Sequence, residues 1–329
     1  MTLTVGLTYD LRDDYLAEGF SSEEVAEFDS RATIDALDAA IASLGYRTDR
    51  IGNAKALCRR LLAGDRWDLV FNIAEGLHGR SREAQVPAIL ELFDVPYTLS
   101  DPLVCALTLD KALTKTLVRA AGLHTPPFLL VHSLADLHDL ALSFPLFAKP
   151  VAEGTGKGID ARSRIDSPAD LRTVCRDLLD RFHQPVLVEE FLPGREFTVG
   201  ILGSASRARV LGTLELEVTS PGERQVYSYQ MKEQCERFVR YFPPAHDDLC
   251  RAVETLALRS YLALSCRDAA RVDLRLDRAH LPAFIEINPL PGLHPTHSDL
   301  PMIATSVGMS YTDLIAAIIH SALARTASP

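Results

Sequence analysis

Two short segments late in the chain carry charged groups at strand spacing: Arg271-Val-Asp273 and Glu286-Ile-Asn288. Side chains alternate along a strand, so Arg271 shares a face with Asp273, and Glu286 with Asn288. If the two segments pair antiparallel, one register sets Arg271 opposite Asn288 and Asp273 opposite Glu286. Carboxylates directly opposed across a sheet repel, and a divalent cation removes that cost. Oxygen donors without Cys or His suit Mg²⁺, which takes a few carboxylates plus substrate phosphates. The plainer alternative is a solvated hairpin face with scattered charges. Pro289-Leu-Pro-Gly292 then ends the strand and leads the backbone away from this face.

A second cluster pairs a lysine with glycines. Phe147-Ala-Lys149-Pro150 ends a strand pattern, and Glu153-Gly154-Thr155-Gly156-Lys157-Gly158 follows. Glycines at alternate positions let backbone N–H groups approach phosphate oxygens. The segment is neither a P-loop, which needs Ser or Thr after its Lys, nor the G-x-G-x-x-G dinucleotide turn. A flexible turn between strands is the alternative; Lys149, a fixed ammonium just ahead of a loop that could cover phosphate, opposes it.

The elements that must hold these groups can be read from periodicity. Leu3–Tyr9 is an apolar strand pattern, and Ile34, Leu37, Ile41 and Leu44 mark one helical face that Gly45 ends. Trp67–Ile73 reads as a strand, Val86–Phe93 as a helix, and a short strand is expected after Pro96. Alternating strands and helices imply parallel βαβ units. Asp110–Ala121 is helical, and Thr125-Pro-Pro127 is a stiff connector. Strands are expected at Phe128–Val131 and Leu146–Lys149 with a helix between them. Ser167-Pro168 starts another helix. Val186–Glu190, Phe197–Leu202, Val210–Leu216, Arg271–Leu276 and Ala283–Ile287 read as strands. Leu249–Leu264 and Tyr311–Leu323 read as helices, and Ser220–Pro244 as a long polar loop.

The 329 residues carry 34 Lys+Arg against 44 Asp+Glu, a formal charge of −10, with 47% hydrophobic residues. That length suggests two or three domains. Net acidity argues against nonspecific nucleic-acid binding. No apolar run approaches the roughly 20 residues of a membrane span, and Met1-Thr-Leu-Thr-Val leads into a strand without a signal-peptide pattern. The six cysteines form no CxxC pair, which reads as reduced thiols in a cytoplasmic chain.

Together the motifs resemble the ATP-grasp superfamily, and within it the D-alanine–D-alanine ligase branch. The similar segments are Asp110-Lys111-Ala-Leu-Thr-Lys115, Pro145-Leu-Phe-Ala-Lys149-Pro150, Glu153–Gly158, Val188-Glu189-Glu190-Phe-Leu-Pro-Gly-Arg-Glu196-Phe197, Arg271-Val-Asp273 and Glu286-Ile-Asn288-Pro-Leu-Pro-Gly292. They run in the family's order across nearly the whole chain. The resemblance implies an α/β fold, α+β in the nucleotide clamp, with an N-terminal parallel βαβ domain (1–108), a central subdomain with the glycine-rich loop (109–193) and a C-terminal subdomain with the metal site (194–329). It assigns Lys111, Lys149 and the Gly154, Thr155 and Gly156 loop to ATP phosphates. Glu189 and the backbone through Leu192 would meet adenine, and Glu196 the ribose. Asp273, Glu286 and Asn288 would hold Mg²⁺, and Arg271 would steady an acyl phosphate and a tetrahedral intermediate. Lys232, Gly292 and Ser298 would face a substrate. The implied reaction phosphorylates a small carboxylate, and an amine then displaces phosphate. A homodimer is also implied.

The departures fall on the substrate side. The family's Glu-Val-Ser becomes Glu27-Phe-Asp-Ser30, its H-G-x-x-G-E-[DN]-G becomes His78-Gly-Arg-Ser-Arg82-Glu83-Ala-Gln85, and its Lys-Tyr becomes Lys232-Glu233. Thr155 stands at the Ser position. The expectation is a carboxylate–amine ligase with an altered substrate pocket; a genuine D-alanine–D-alanine ligase and a non-catalytic nucleotide-binding regulator are the alternatives. His294 and His297 could bind metal but more simply line the acceptor pocket or cap a loop, since no third soft ligand lies nearby. Glu75 could touch a substrate amine or sit in an ordinary turn, and Arg80 and Arg82 could touch substrate or form an exposed basic turn.

Overall fold

The structure, a computed structural model, describes residues 2–218 and 239–326. Three sheets organise it. The first has the order β2-β1-β3, with β1 (Thr4–Thr8) pairing in parallel with both β2 (Arg47–Gly52) and β3 (Leu69–Asn72). The Arg31–Ser43 helix crosses between β1 and β2; Ser30 caps it by accepting from Thr33 N–H, and Ile34, Leu37 and Ile41 are buried. This is the parallel βαβ arrangement the alternation implies. The strand β2 escapes periodicity because it is a charged edge strand, and its ladder with β1 defines it rather than an apolar face. The strand expected after Pro96 is a single parallel bridge between Val70 and Tyr97.

The second sheet has the order β4-β7-β5-β6, built from β4 (Phe128–Val131), β5 (Leu146–Pro150), β6 (Arg164–Ile165) and β7 (Val186–Glu190), all antiparallel. The helix expected between β4 and β5 is a six-residue 3₁₀ turn, Leu134–Asp139. There the Ser133 and Asp136 side chains satisfy the free N–H groups in a capping box, and the helix ends at Asp139. The Pro168–Phe182 helix, capped by Ser167, buries Leu171, Val174, Cys175 and Leu178 against this sheet.

The third sheet has the order β10-β9-β8-β11-β12, again antiparallel, from β8 (Glu196–Leu202), β9 (Arg209–Val218), β10 (Val239–Phe242), β11 (Ala269–Leu276) and β12 (Pro282–Asn288). Part of the stretch read as a polar loop is therefore strand β10; most of the remainder lies outside the described residues. The Asp248–Ala263 helix packs on the sheet, with Val253, Ala257 and Tyr261 in the core. The Asp299–Ser306 and Tyr311–Thr326 helices close the chain. Leu300, Ile303 and Ile315 join β1 and the Arg31–Ser43 helix in one core, so the C-terminal helices tie the first sheet to the third.

Candidate active site

Strand register puts the charged groups together. In the β11–β12 ladder Arg271 faces Asn288 and Asp273 faces Glu286, and a bulge follows Asp273. The ends of β5 and β7 supply Lys149 and Glu189, and the first turn of the Lys111–Ala120 helix, capped by Asp110, supplies Lys111. The cleft between them is about 120 Å³ and is lined by Lys111, Lys149, Gly154, Gly156, Glu189, Leu192, Glu196, Arg271, Asp273 and Glu286.

These charges form an alternating chain. Lys115 Nζ lies 2.8 Å from Glu189 Oε2, and Lys149 Nζ is 3.2 Å from Glu189 Oε1 and 4.0 Å from Glu286 Oε2. Lys111 Nζ is 3.6 Å from Glu286 Oε2 and donates to Glu153 O at 2.6 Å. Burial works against every charge here. It wins at Lys115, pushed down to about 8 despite Glu189. At Lys149 the carboxylates of Glu189 and Glu286 outweigh burial and raise the ammonium's pKa, and at Glu189 the two lysines outweigh it and lower the carboxyl's. Lys115, fully buried and also bonded to Thr125 Oγ1 and Phe284 O, was not singled out by spacing. The repulsion expected between Asp273 and Glu286 is already offset: Arg271 Nη2 lies 3.0 Å from Asp273 Oδ2, and the lysines flank Glu286.

Arg271 is held on three sides. It pairs with Asp273 and Asp299, and the Asn288 amide, with its oxygen turned inward, accepts from Nη2 at 2.6 Å and from Nε at 3.2 Å. Burial opposes the charge, but Asp273, Asp299 and Glu286 together raise its pKa. Asp299 begins a helix 28 residues downstream, and no motif marks it.

The glycine loop is tied down rather than free. Thr155 sits at φ +49°, and Gly156 and Gly158 at +75°, where a glycine is favoured. Gly154 N–H donates to Glu27 Oε1 at 2.5 Å. Glu27 also accepts from Arg82 Nη2 at 2.9 and 3.1 Å and lies 3.4 Å from Lys157 Nζ, which is 2.7 Å from Glu153. Burial would raise the Glu27 pKa, but Arg82 and Lys157 keep it low. Arg82 is thus a buried tie, not part of an exposed turn, while the exposed Arg80 pairs with Asp110 at 2.7 Å.

A second cleft, about 280 Å³, adjoins the first and shares Gly154, Arg271 and Asp299 with it; Glu27, Glu75, Glu83, Thr155, Asn288, Gly292, His297 and Ser298 also line it. A Cβ on Gly292 would sit 2.8 Å from Ser298 Oγ, so a larger residue there would push the Ser298 hydroxyl from its place. Ser298 Oγ accepts from His294 N–H at 3.0 Å, leaving its proton available. The Thr155 hydroxyl is buried in this wall with no hydrogen-bond partner among the described residues, and so is that of Thr198 in the first cleft. Burial, together with neighbouring Glu83 and Glu27, pushes Glu75 well up, and burial pushes Glu83 up to about 7 against the pull of Arg82. The His294 and His297 rings stack at 4.6 Å and belong to no three-ligand cluster among the described residues. Lys232 and Glu233 lie outside the described residues.

Sequence comparison agrees with this layout. The family profile described as D-ala D-ala ligase C-terminus matches residues 117–320. The D-alanine–D-alanine ligase of Bordetella pertussis is 38% identical over 258 residues, 77% of this chain and 78% of that protein. An uncharacterized protein, y4sG of Sinorhizobium fredii, is 37% identical over 256 residues, 77% of this chain and 74% of its own. In fold, the crystal structure of D-alanine–D-alanine ligase from Bacillus anthracis complexed with ATP superposes with a TM-score of 0.76 at 22% identity, covering all of both chains. The VanG D-Ala:D-Ser ligase from Enterococcus faecalis does so at 0.76 and 20%, covering 98% of this chain and 100% of its own. The chain therefore belongs to the D-alanine–D-alanine ligase family and is an ATP-grasp ligase, an enzyme of the kind that forms carbon–nitrogen bonds.

Proposed function

We propose that this ligase joins a small carboxylate to an amino-acid-like amine with ATP and Mg²⁺, and that its substrate pocket selects molecules other than D-alanine. The observation that carries the reading is the pair of adjoining clefts that meet at Arg271: one lined by cations and the Asp273–Glu286 pair, the other by carboxylates with a Thr155 hydroxyl that has no partner among the described residues. Lys111 and Lys149 are placed to hold phosphate oxygens, with Gly154, Thr155 and Gly156 beside them. Asp273 and Glu286 offer the hard oxygen donors that Mg²⁺ takes, and the Asn288 oxygen would join them by turning from Arg271. Bound there, MgATP supplies the phosphoryl group that activates the carboxylate. Glu189, Leu192 and Glu196 line the same cleft, and adenine and ribose would lie against them. Arg271, preorganised by Asp273, Asp299 and Asn288, presents N–H donors where negative charge develops on the acyl group. Ser298 and Lys232 would hold the second substrate's carboxylate. The units 1–108, 109–193 and 194–329 divide the work into substrate entry, nucleotide loop and metal face. We place the enzyme in the cytoplasm, as a homodimer.

Three carboxylates, Glu27, Glu75 and Glu83, set the character of the second cleft. Glu27 is occupied by Arg82, Lys157 and Gly154. Glu75 and Glu83 have no hydrogen bond or ion pair among the described residues, so an ammonium in the cleft would find its charge partner there. A panel of D- and L-amino acids and small carboxylic acids, read by ADP release and mass spectrometry, tests this. The expected outcome is weak D-alanyl-D-alanine formation and faster ADP release with a different pair. Dipeptide formation from D-alanine alone at roughly 1–10³ s⁻¹ would instead establish the second reading, a D-alanine–D-alanine ligase proper. The likeness to the D-alanine–D-alanine ligase of Bordetella pertussis favours that reading.

A further inference from the structure

Away from both clefts, three side chains of different chemistry converge at the start of the Asp248–Ala263 helix. Cys250 in the first turn and Glu254 one turn on share a helix face by their spacing of four, and His246, just before the helix, folds over the same face. One ligand atom from each lies within 4.8 Å of the other two. Cys250 is buried, Glu254 half-buried and His246 exposed, so the group opens to solvent at the histidine. The Cys250 Sγ–Glu254 Oε1 separation is 3.7 Å. Bonds of about 2.3 Å to sulfur and about 2.0 Å to oxygen at a tetrahedral centre give an edge of about 3.5 Å, so this side of the triangle is already formed. The exposed imidazole needs a shift on the order of 1 Å to complete it.

Two supports lie behind the ligands. Thr213 on β9 donates its hydroxyl to Glu254 Oε1 at 3.0 Å, which fixes the carboxylate's orientation as second-sphere partners of metal ligands do. Asp247 caps the helix by accepting from Cys250 N–H at 2.9 Å, which fixes the cysteine backbone. None of the three residues lines either cleft, so neither the clefts nor the ligase reaction accounts for the grouping.

We propose that His246, Cys250 and Glu254 bind a borderline-soft divalent cation of the zinc type, with solvent at a fourth position. Imidazole, thiolate and carboxylate together suit Zn²⁺ and not the Mg²⁺ of an all-oxygen site. As the metal–sulfur bond forms, the thiol proton leaves to solvent. The ion would join the connection after edge strand β10 to the helix that packs on the sheet.

The test uses the metal-free full chain titrated with Co²⁺ as the probe, in excess Mg²⁺ to fill all-oxygen sites. The expected result is a near-ultraviolet thiolate-to-cobalt band with the visible bands of tetrahedral Co²⁺, saturating at a single equivalent and bleached by Zn²⁺. Cys250→Ser should abolish the thiolate band and Cys235→Ser should leave it. His246→Ala, at an exposed position that cannot undermine folding, and Thr213→Val should each weaken Co²⁺ binding by about 10–100-fold. No thiolate band in the wild type, its persistence in Cys250→Ser, or unchanged affinity in His246→Ala would overturn the proposal.

Discussion

Glu27→Gln is the sharpest probe of how the glycine loop is held. The carboxylate accepts from Gly154 N–H at 2.5 Å and from Arg82 at 2.9 Å, and faces Lys157 at 3.4 Å. The Glu27 and Arg82 side chains are each only 8% exposed. A glutamine keeps one acceptor for Gly154 but turns an amide donor toward Arg82 or Lys157. Breaking a buried ion pair costs roughly 3–5 kcal/mol because one charge stays behind. Here Lys157 retains Glu153 at 2.7 Å and Arg82 retains Ala152 O at 2.9 Å, which places the expected loss near the lower bound, about 3 kcal/mol. Urea unfolding of Glu27→Gln, Arg82→Gln and the double variant forms the cycle. A coupling energy of about 2 kcal/mol is expected, with faster hydrogen exchange at the Gly154 amide and weaker ATP binding. Coupling below about 0.5 kcal/mol, or unchanged exchange at Gly154, would refute the view that Glu27 anchors the loop.

Three further outcomes follow from the same geometry. Glu286→Gln should lower turnover by about 10²-fold or more, the scale of losing one preorganised group, with partial recovery at high Mg²⁺; wild-type turnover at low Mg²⁺ would exclude a metal role. The same change should cost about 1 kcal/mol of stability, because Glu286 also faces Lys111 and Lys149. Arg271→Lys should leave ATP affinity within a few-fold and reduce the rate by about 10²-fold, since an ammonium cannot span Asp273, Asp299 and Asn288 at once; a selective loss of ATP affinity would show that Arg271 serves the nucleotide instead. Glu83, raised to about 7 by burial, binds its proton more tightly in the folded chain than its ordinary value of about 4.3 allows in the unfolded one. Its stabilising contribution is therefore complete below about 4.3 and lost as pH rises through about 7, a difference on the order of 3–4 kcal/mol that Glu83→Gln should abolish in melts across that range. KM for the amine substrate should fall over the same interval as the carboxylate ionises, and a flat KM profile would remove Glu83 from the ammonium site.

The shared face of Arg271, Asp273, Glu286 and Asn288 was legible in the sequence because its geometry is local. Alternation along β11 and β12 and one antiparallel register dictate that Asp273 meets Glu286, and the structure has that pairing. Periodicity likewise placed the Arg31–Ser43 helix and most strands, since an apolar stripe at the element's own repeat is the signal. Edge strand β2 and the 3₁₀ turn at Leu134–Asp139 lacked that stripe, and pairing and capping hydrogen bonds define them. The pairings that tie the site together were not legible, even where one partner stood in a motif. Glu27 reaches Gly154 across 127 residues, Lys115 meets Glu189 at the junction of a helix and a sheet, and Asp299 clasps Arg271 from the next helix. The sequence alone settled which residue types share which strand faces. Which buried charge is compensated, and by whom, was decided by the packing of separate sheets, because an ion pair depends on a few ångströms in space and on nothing in the spacing along the chain.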